Sequence, residues 1–598
     1  MTLRQKAHPL LQLFHRDTRS GISGFLLFLL SLTLPIASES SLAAEKATPA
    51  SEGAAVHATV LLEDDFPSAS KCAACHQKIY DEWSASAHAY SGLSPMFHKF
   101  ENAINSLAPT VNSFCVRCHQ SVGTTLGEPR ETDLWDRTQV SREGVTCITC
   151  HRVNTGYAKV NGERRINPGN IFQPVYGPTE AKELQKVLDN PGQYKVSTNN
   201  EDIGQKIHTK AVKFPQIRLS EFCMSCHQVA VNLGIKLEVV WDQYRASPAH
   251  KEGVTCQQCH MGRVPGVPSG FERAPVAVVD GKAIEADRDH YNHSFYGPGY
   301  SIAHPGIFPH NANAGAWTIK QWLTFDYRAG WGSPKFEENV ADDYPFPPEW
   351  EDISDRETAW EIIQENFAKL KIRDEQRKQV MEMGTHVDGP FFDGAPKAGS
   401  SLSFHYVIEN INIGHNVPSG SLGAQPELWL NVALADPSGK RVWESGYVDS
   451  NGDMADLHSL DVRAGKINRD TQLFNLQTKF LTTNVKGADR EMYLPVNFDV
   501  DQLPFLRPAQ QPVSVMNHPP FVRMEGRSIP PLGKRKAEYT VPASLLKEKG
   551  TYKLAVRMRS RAEPIYFMKF VGATADMERA MNEGMVDIHP YTVEFTVK

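Results

Sequence analysis

The sequence predicts a two-part fold: an α and irregular domain with little regular core, followed by an all-β sandwich domain of the immunoglobulin or fibronectin type. All ten cysteines lie ahead of Met261, in a stretch with many Gly, Pro and Asn residues and few long apolar periods. The C-terminal part contains alternating strand-like runs separated by turn residues. We therefore divide the chain into a first domain at residues 69–330, a linker with a helix at 331–390 and a β-sandwich domain at 391–598.

The N-terminus has the pattern of a secretory signal peptide, which we assign to residues 1–43. Basic residues from Arg4 to Arg19 precede an apolar run from Phe25 to Ile36, and Ser41-Leu42-Ala43 fits the small-x-small cleavage rule. The apolar run is short for a membrane span, so cleavage is favoured over an uncleaved membrane anchor. Residues 44–68 are predicted to be a flexible leader.

Every cysteine belongs to a C-x-x-C-H pentad, and the chain has five of them. This is the attachment pattern of c-type haem, in which two thiols bond to the porphyrin and the adjoining imidazole binds the iron. Residues 69–330 are therefore predicted to be a pentahaem cytochrome domain with five covalently attached haems c. In chain order, motifs 1 to 5 are Cys72, Cys75 and His76; Cys115, Cys118 and His119; Cys147, Cys150 and His151; Cys223, Cys226 and His227; and Cys256, Cys259 and His260, each histidine being the proximal iron ligand.

Other uses of cysteine fit the pattern less well. A disulfide framework in an exported protein would not place histidine after every second cysteine. Zinc knuckles use C-x-x-C pairs but do not require the adjacent histidine in every copy. Thioredoxin-like redox motifs need a βαβ setting, which the sequence does not indicate here.

Motifs 2 and 3 recur, with flanking residues, as motifs 4 and 5. The segment from Glu143 to Cys147 reads Glu-Gly-Val-Thr-Cys and returns from Glu252 to Cys256. An internal duplication of one two-haem unit is therefore predicted. The glycine ahead of Val-Thr-Cys indicates a tight turn at each attachment loop.

The second axial ligand decides what each iron can do. Two histidines favour electron transfer, whereas an iron with its proximal histidine alone keeps one face open for substrate. The candidate distal ligands are His88, His250, His293 and His415, the last of which would reach a haem from a loop of the β domain. Weaker candidates are His98, His290, His304 and His310, and no iron is assigned to His57, His208, His386, His405, His458, His518 and His589. The first repeat has no counterpart of His250, so its two haems take ligands from afar or one of them stays open.

The regular elements are predicted in the second half. A capping box at Ser354 and Glu357 starts a helix that ends at Gly384 and connects the two domains. Its predicted apolar face carries Trp360, Ile363, Phe367 and Leu370. Strands are predicted over Leu402–Ile408, Leu428–Ala435, Tyr552–Met558 and Tyr591–Val597. No catalytic pattern is present in this β part.

Around motif 1 the chain resembles a known family. Cys72 through Tyr80, Trp83, Ser86 and His88 is similar to the multihaem c-type cytochromes of the c-552/c-554 type, typified by the tetrahaem electron acceptor of hydroxylamine oxidoreductase. The Glu-Gly-Val-Thr-Cys-x-x-Cys-His pattern and the run from His293 to Gly297 fit the same group. The resemblance implies closely packed, mostly bis-histidine haems. The fifth motif and the large C-terminal half depart from that type.

These observations predict an exported multihaem cytochrome, periplasmic or at the cell surface, that relays electrons between redox partner proteins. It is expected to be a carrier more than an enzyme. The alternative is a multihaem oxidoreductase that acts on a small nitrogen or sulfur compound at one open iron. The net charge of −6 gives no basic excess, so a nucleic-acid partner is not expected. Membrane association would need an uncleaved N-terminus or a partner, and the sequence does not indicate an oligomeric state.

Overall fold

The structure, a computed structural model, describes residues 65–107, 113–155, 162, 164–230, 236–420, 426–456, 458–477, 479–485, 488–490, 522–525 and 527–598. The signal peptide and nearly all of the leader lie outside these ranges. In the described part, no helix is both long and apolar enough to cross a membrane.

The part of the chain predicted as the first domain contains short helices and small apolar clusters. Its helices are α1 Ala69–Ser84, α2 Ala87–Tyr90, α3 Pro95–Leu107, α4 Val116–His119, α5 Ser121–Leu126, α6 Gln139–Arg142, α7 Cys147–His151, α8 Lys182–Asp189, α9 Pro191–Tyr194, α10 Glu221–Met224, α11 Val240–Arg245, α12 Pro248–Lys251, α13 Cys256–His260, α14 Ile319–Trp322 and α15 Pro334–Glu337. Many of them span a single turn, so irregular segments between the helices determine the positions of much of this domain.

Short strand pairs brace this domain without forming a common sheet. They are β1 Val175–Gly177 with β4 Ala211–Lys213, β2 Val196–Ser197 with β3 Gln205–Lys206, β5 Val229–Ala230 with β6 Lys236–Glu238, β7 Glu272–Ala274 with β10 Arg288–His290, and β8 Ala277–Val279 with β9 Lys282–Ile284.

One long helix, α16 (Ile353–Glu382), follows the first domain. It begins one residue earlier than predicted, because the Asp352 side chain caps it by accepting from Ser354 N at 2.8 Å. The predicted apolar face is only partly correct: Ile363 is fully buried, but Phe367 is 39 % exposed. The helix buries charged residues on its inner side, and Arg373 is one of them.

The β part contains antiparallel strands at every predicted position, and each is longer than predicted. The strands are β11 Thr385–Phe392, β12 Leu402–Asn410, β13 Glu427–Ala435, β14 Arg441–Ser445, β15 Lys479–Val485, β16 Ala488–Arg490, β17 Val522–Glu525, β18 Lys534–Val541, β19 Gly550–Arg561 and β20 Val586–Val597. Short helices α17 Leu460–Arg463, α18 Ile565–Phe570 and α19 Ala575–Glu583 interrupt them.

Two sheets of this part share one core. One sheet has the order β11-β12-β18 and the other β14-β13-β19-β20, and β15-β17 form a third small sheet with β16. Alternate residues of β12, among them Phe404 and Tyr406, pack with Leu430 and Leu554 of the four-stranded sheet. The immunoglobulin or fibronectin assignment stays a prediction.

Candidate functional site

Each C-x-x-C-H motif forms about one helical turn. Motifs 3 and 5 coincide with α7 and α13, motif 2 overlaps α4, and in motif 4 the His227 amide donates to Cys223 O at 3.0 Å. One turn brings residues three apart onto the same side, as attachment of two thiols to one porphyrin edge requires. In motif 1 the backbone leaves the helical conformation at His76 (φ −116°, ψ 43°), which turns that residue away from the helix.

Several ring hydrogen bonds leave Nε2 directed away from the backbone. In motifs 1, 3 and 5 the Nδ1 atoms of His76, His151 and His260 donate to Val276 O, Tyr176 O and Tyr296 O at 2.8, 2.9 and 2.6 Å. The same holds for two candidate distal ligands, where His293 donates to Tyr291 O at 2.6 Å and His415 to Asn416 O at 2.9 Å. A carbonyl oxygen bonded to one ring nitrogen fixes the tautomer in which the other nitrogen can bind metal.

Three motif histidines face a candidate distal histidine. The ring centres of His88 and His227 are 6.3 Å apart, those of His151 and His293 are 6.5 Å apart, and those of His260 and His415 are 6.0 Å apart. Two imidazoles that bind opposite sides of one metal, each at about 2 Å, have ring centres about 6 Å apart. The spacing of all three pairs therefore fits two axial ligands of one iron.

His415 reaches motif 5 because its loop is bound to the first domain. The loop follows β12, and Asn412 Nδ2 donates to Gly266 O at 3.1 Å. Ile413 O accepts from Ala249 N at 3.1 Å. The β part thus supplies one member of a histidine pair whose other member lies in the first domain.

Sequence reasoning missed His208, to which it assigned no iron. His208 lies close enough to His76 that the charge of His76, after burial, is the next largest cause of its lowered pKa of about 4. Its position in the chain gives no motif, because Ile207-His208-Thr209 follows an exposed turn. No recurring spacing marks His208 in the sequence, and only the tertiary fold brings this ring near motif 1.

His119 of motif 2 has a different neighbour. Phe97 lies against it with ring centres 4.2 Å apart and ring planes 4° apart. Among the described residues no histidine makes a ring contact with His119, and the nearby His98 uses its own Nε2 on Gly92 O at 2.9 Å. His76 of motif 1 likewise makes no ring contact with a histidine in the part of the chain that the structure describes. His208 lies near His76, whereas the imidazole near His119, that of His98, has its Nε2 bonded to the backbone.

In the weaker candidates the Nε2 atom already has a hydrogen-bond partner. Nε2 of His304 is bonded to Phe325 O at 2.9 Å and Nε2 of His310 to Ala89 O at 3.2 Å, whereas Nε2 of His290 contacts Glu82 at 2.7 Å. An engaged Nε2 is not available for iron. The stronger candidate His250 is exposed, and the ring that contacts it is Tyr244, at 5.3 Å and perpendicular.

Burial favours the neutral form of four of these histidines, which is the form that binds metal. Burial lowers the pKa of His88 and His293 to about 3 and that of His119 and His260 to about 4. The Nδ1 atom of His88 is also buried without a hydrogen-bond partner. These side chains suit an apolar porphyrin site better than solvent.

Thiols of different motifs lie side by side. Cys72 lies close enough to Cys147 for the two thiols to shift each other's pKa. The same holds for Cys118 with Cys226 and for Cys223 with Cys256. The sites of motifs 1 and 3, 2 and 4, and 4 and 5 are therefore neighbours, and the charge of Cys226 in motif 4 also raises the pKa of Cys150 in motif 3.

The structure gives no support to a disulfide framework or to a zinc site. All ten cysteines, which lie within the described residues, are free thiols. The described part of the chain has no cluster of three or more His, Cys, Asp or Glu side chains that could hold a metal ion. A haem iron needs only two protein ligands, since the porphyrin supplies the others, so the histidine pairs fit haem and not zinc.

The predicted tight turns are present, and one of them supports His88. Gly144 and Gly253 have φ of +67° and +72°. Val145 N donates to His88 O at 3.0 Å, and a Cβ on Gly144 would lie 2.6 Å from that oxygen. A Cβ on Gly253 would meet nothing within 4 Å.

Gly144→Ala is therefore expected to displace His88, with Gly253→Ala as its matched control. Both variants carry the cost of an alanine at positive φ, and only the first adds a clash at the His88 backbone. We expect Gly144→Ala to lose at least about 1 kcal/mol more than Gly253→Ala in the free energy of unfolding. Denaturant unfolding of both holoproteins measures this, and equal losses would contradict the contact.

Comparisons with known proteins address the first three motifs. A family model described as cytochrome c554 and c-prime matches residues 71–152. No curated protein matches the sequence. Among solved structures, Pseudomonas fluorescens alkylpurine DNA glycosylase AlkC bound to DNA containing an abasic site analog aligns at 9 % identity and a TM-score of 0.12, over 40 % of this chain and 38 % of that one. That TM-score is too low to carry an argument about fold. The match over residues 71–152, which contains motifs 1 to 3 and His88, supports a c-type cytochrome that binds haem and carries electrons.

Proposed function

We propose that the chain is an exported pentahaem cytochrome that relays electrons between redox partner proteins. The observation that carries the proposal is the three histidine pairs with ring centres 6.0 to 6.5 Å apart, each joining a motif histidine to a ring from elsewhere in the fold. When bound, haem iron with two imidazoles exchanges one electron with little rearrangement.

The chain's own residues hold the cofactors and set their order. The cysteine pairs would anchor the haems. Each iron would be bound by a motif histidine together with a second histidine, in the pairs His76 with His208, His151 with His293, His227 with His88, and His260 with His415. The neighbouring thiols support an order from motif 1 through motif 3 to motif 4, with motifs 2 and 5 each adjoining motif 4. Burial excludes water and favours the neutral form of His88, His208, His260 and His293.

The test is a haem count on purified protein made in a host that matures cytochromes c. We expect a Soret band, five haems per chain by pyridine haemochrome and a mass that exceeds the polypeptide by five haems. The double variant Cys256→Ala/Cys259→Ala removes the motif 5 thiols and is expected to retain four. A colourless wild-type protein would refute the proposal.

A second candidate function is reduction or oxidation of a small nitrogen or sulfur compound at the motif 2 iron. It is favoured by the absence, among the described residues, of a histidine in ring contact with His119, beside which Phe97 packs. This candidate predicts a high-spin ferric signal from one haem, carbon monoxide binding by the reduced protein, and turnover of nitrite or hydroxylamine. Five low-spin haems and no turnover would leave electron relay as the one remaining candidate function.

A further inference from the structure

Two helical segments of the first domain have similar sequences and similar surroundings. Residues 80–83 of α1 read Tyr-Asp-Glu-Trp, and residues 241–244 of α11 read Trp-Asp-Gln-Tyr. Both patterns place Asp and then Glu or Gln between two aromatic residues. A serine follows each segment, Ser86 or Ser247, and its side chain caps the next short helix.

The aromatic residue that ends each segment binds the attachment loop of a later motif. Trp83 Nε1 donates to Val145 O, and Tyr244 OH donates to Val254 O, both at 2.9 Å. The two valines belong to the Gly-Val-Thr-Cys sequences that open motifs 3 and 5. The fold therefore places α1 beside motif 3 as it places α11 beside motif 5.

Glu82, the residue before Trp83, holds the backbone of the histidine that faces motif 3. Its Oε2 accepts from His293 N at 2.9 Å, and its Oε1 accepts from His290 Nε2 at 2.7 Å. The side chains of Glu82 and His290 are 12 % and 4 % exposed. One largely buried carboxylate thus joins α1 to both ends of the segment 290–293.

Gln243 occupies the equivalent position in α11 and holds the loop of the histidine that faces motif 5. Its Oε1 accepts from Asn416 N at 3.3 Å and from Ser419 Oγ at 2.7 Å. Asn416 directly follows His415 in the chain. The same position in the two helices therefore contacts the backbone at a distal candidate, although His415 comes from the β part.

We propose that Glu82 and Gln243 are equivalent positioning residues that keep distal histidines in place, Glu82 at motif 3 and Gln243 at motif 5. The Nδ1 atoms of His293 and His415 are bonded to carbonyls of their own segments, so each ring follows the backbone of its segment. A hydrogen bond to the backbone N–H at or beside the ligand fixes that backbone. The inference rests on the proposed function and adds how two of the irons would retain their second ligand.

Carbon monoxide binding to the reduced holoprotein tests the inference, because carbon monoxide binds such an iron only after the distal histidine has left it. Loss of a residue that supports a metal ligand typically weakens the metal bond about 10–100-fold. We therefore expect Glu82→Ala and Gln243→Ala each to make one further haem bind carbon monoxide at least about tenfold faster than in the wild type. Glu82→Gln and Gln243→Glu keep an acceptor oxygen and are expected to retain the wild-type rate.

The matched controls are Asp81→Ala and Arg245→Ala, each of which changes a nearby residue on the same helix. The Asp81 side chain is 47 % exposed and contacts Gln77 and Lys369, and Arg245 is exposed. Neither control is expected to change carbon monoxide binding at any haem. A control that changed it as much as its partner variant would show a general effect of altering the helix and would overturn the inference.

Double variants assign each effect to one iron. Adding Glu82→Ala to His293→Ala, or Gln243→Ala to His415→Ala, should change nothing further, because the ring that each residue holds is already absent. Additive effects in both pairs, or wild-type rates in both single alanine variants, would overturn the inference. If Glu82→Ala lost its haems, the Gln243 variants would decide, because they remove no charge. Failure of the proposed ligand pairs would appear separately, as unchanged low-spin haems in His293→Ala and His415→Ala, and the inference would fall with them.

Discussion

Replacing His415 with alanine is expected to convert one haem of the proposed set from low to high spin. His415 faces His260 with ring centres 6.0 Å apart and planes 10° apart, and its Nδ1 is already bonded to Asn416 O. Loss of the ring leaves the motif 5 iron with one imidazole and an open face. Electron paramagnetic resonance of the ferric protein should show one additional high-spin centre per chain. Carbon monoxide should bind one more equivalent after reduction.

The matched control is His405→Ala in strand β12 of the same domain. His405 lies 3.6 Å from Asp393 and packs against Phe391, so its removal should leave every haem signal as in the wild type. If His415→Ala kept the wild-type spin state, the β part would supply no ligand to motif 5. If both variants produced the same new signal, loss of β-part folding would explain it and the assignment would fall.

The local part of the candidate site could be predicted from the sequence alone. The cysteines and the histidines predicted as proximal ligands are adjacent in the chain, so the pentads predict them without a fold. The glycine turns at Gly144 and Gly253 were also predictable, because positive φ at a fixed offset is a local requirement. The long strands of the β part followed from alternation, as β12 shows by burying every second residue.

Pairing of the ligands could not be predicted, because it depends on contacts between distant segments. His88 follows motif 1 in the chain but faces His227 of motif 4. His208 has no sequence pattern and lies near motif 1 only through the fold. His250 occupies a helix start like that of His88, with Ser247 as its cap, yet it is exposed beside Tyr244. Similar local sequence therefore does not give similar surroundings.

The same reason explains the error on helix α16. An apolar face was expected through Phe367, but the inner side of the helix carries Arg373 and Arg377. Arg373 donates to the carbonyls of Ser294, Phe295 and Gly297. Arg377 donates through Nη2 to Gly584 O, while its Nε and Nη1 are buried without a hydrogen-bond partner. Hydropathy patterns score such a residue as exposed, since they contain no information about distant acceptors.

The largest expected loss of stability follows Glu427→Ala in the β part. Glu427 and Arg561 are directly paired across β13 and β19, and their side chains are 1 % and 0 % exposed. Arg561 donates to Glu427 through Nε at 2.8 Å and through Nη2, and its Nη1 donates to Gly452 O and Asn582 Oδ1. Removing the carboxylate leaves a buried cation with neutral acceptors alone. Breaking one side of such a pair costs about 3–5 kcal/mol.

Glu594→Ala provides the matched control, because Glu594 pairs with Lys553 across β19 and β20 of the same sheet at 2.9 Å, with side chains 58 % and 57 % exposed. An exposed pair is worth about 0–1 kcal/mol. Denaturant unfolding of the holoproteins, followed by far-ultraviolet circular dichroism, should separate the two variants clearly. The double variant Glu427→Ala/Arg561→Met should recover part of the lost stability, because it also removes the buried positive charge of Arg561. Equal stability of Glu427→Ala and Glu594→Ala would mean that the buried pair is solvated in the folded protein.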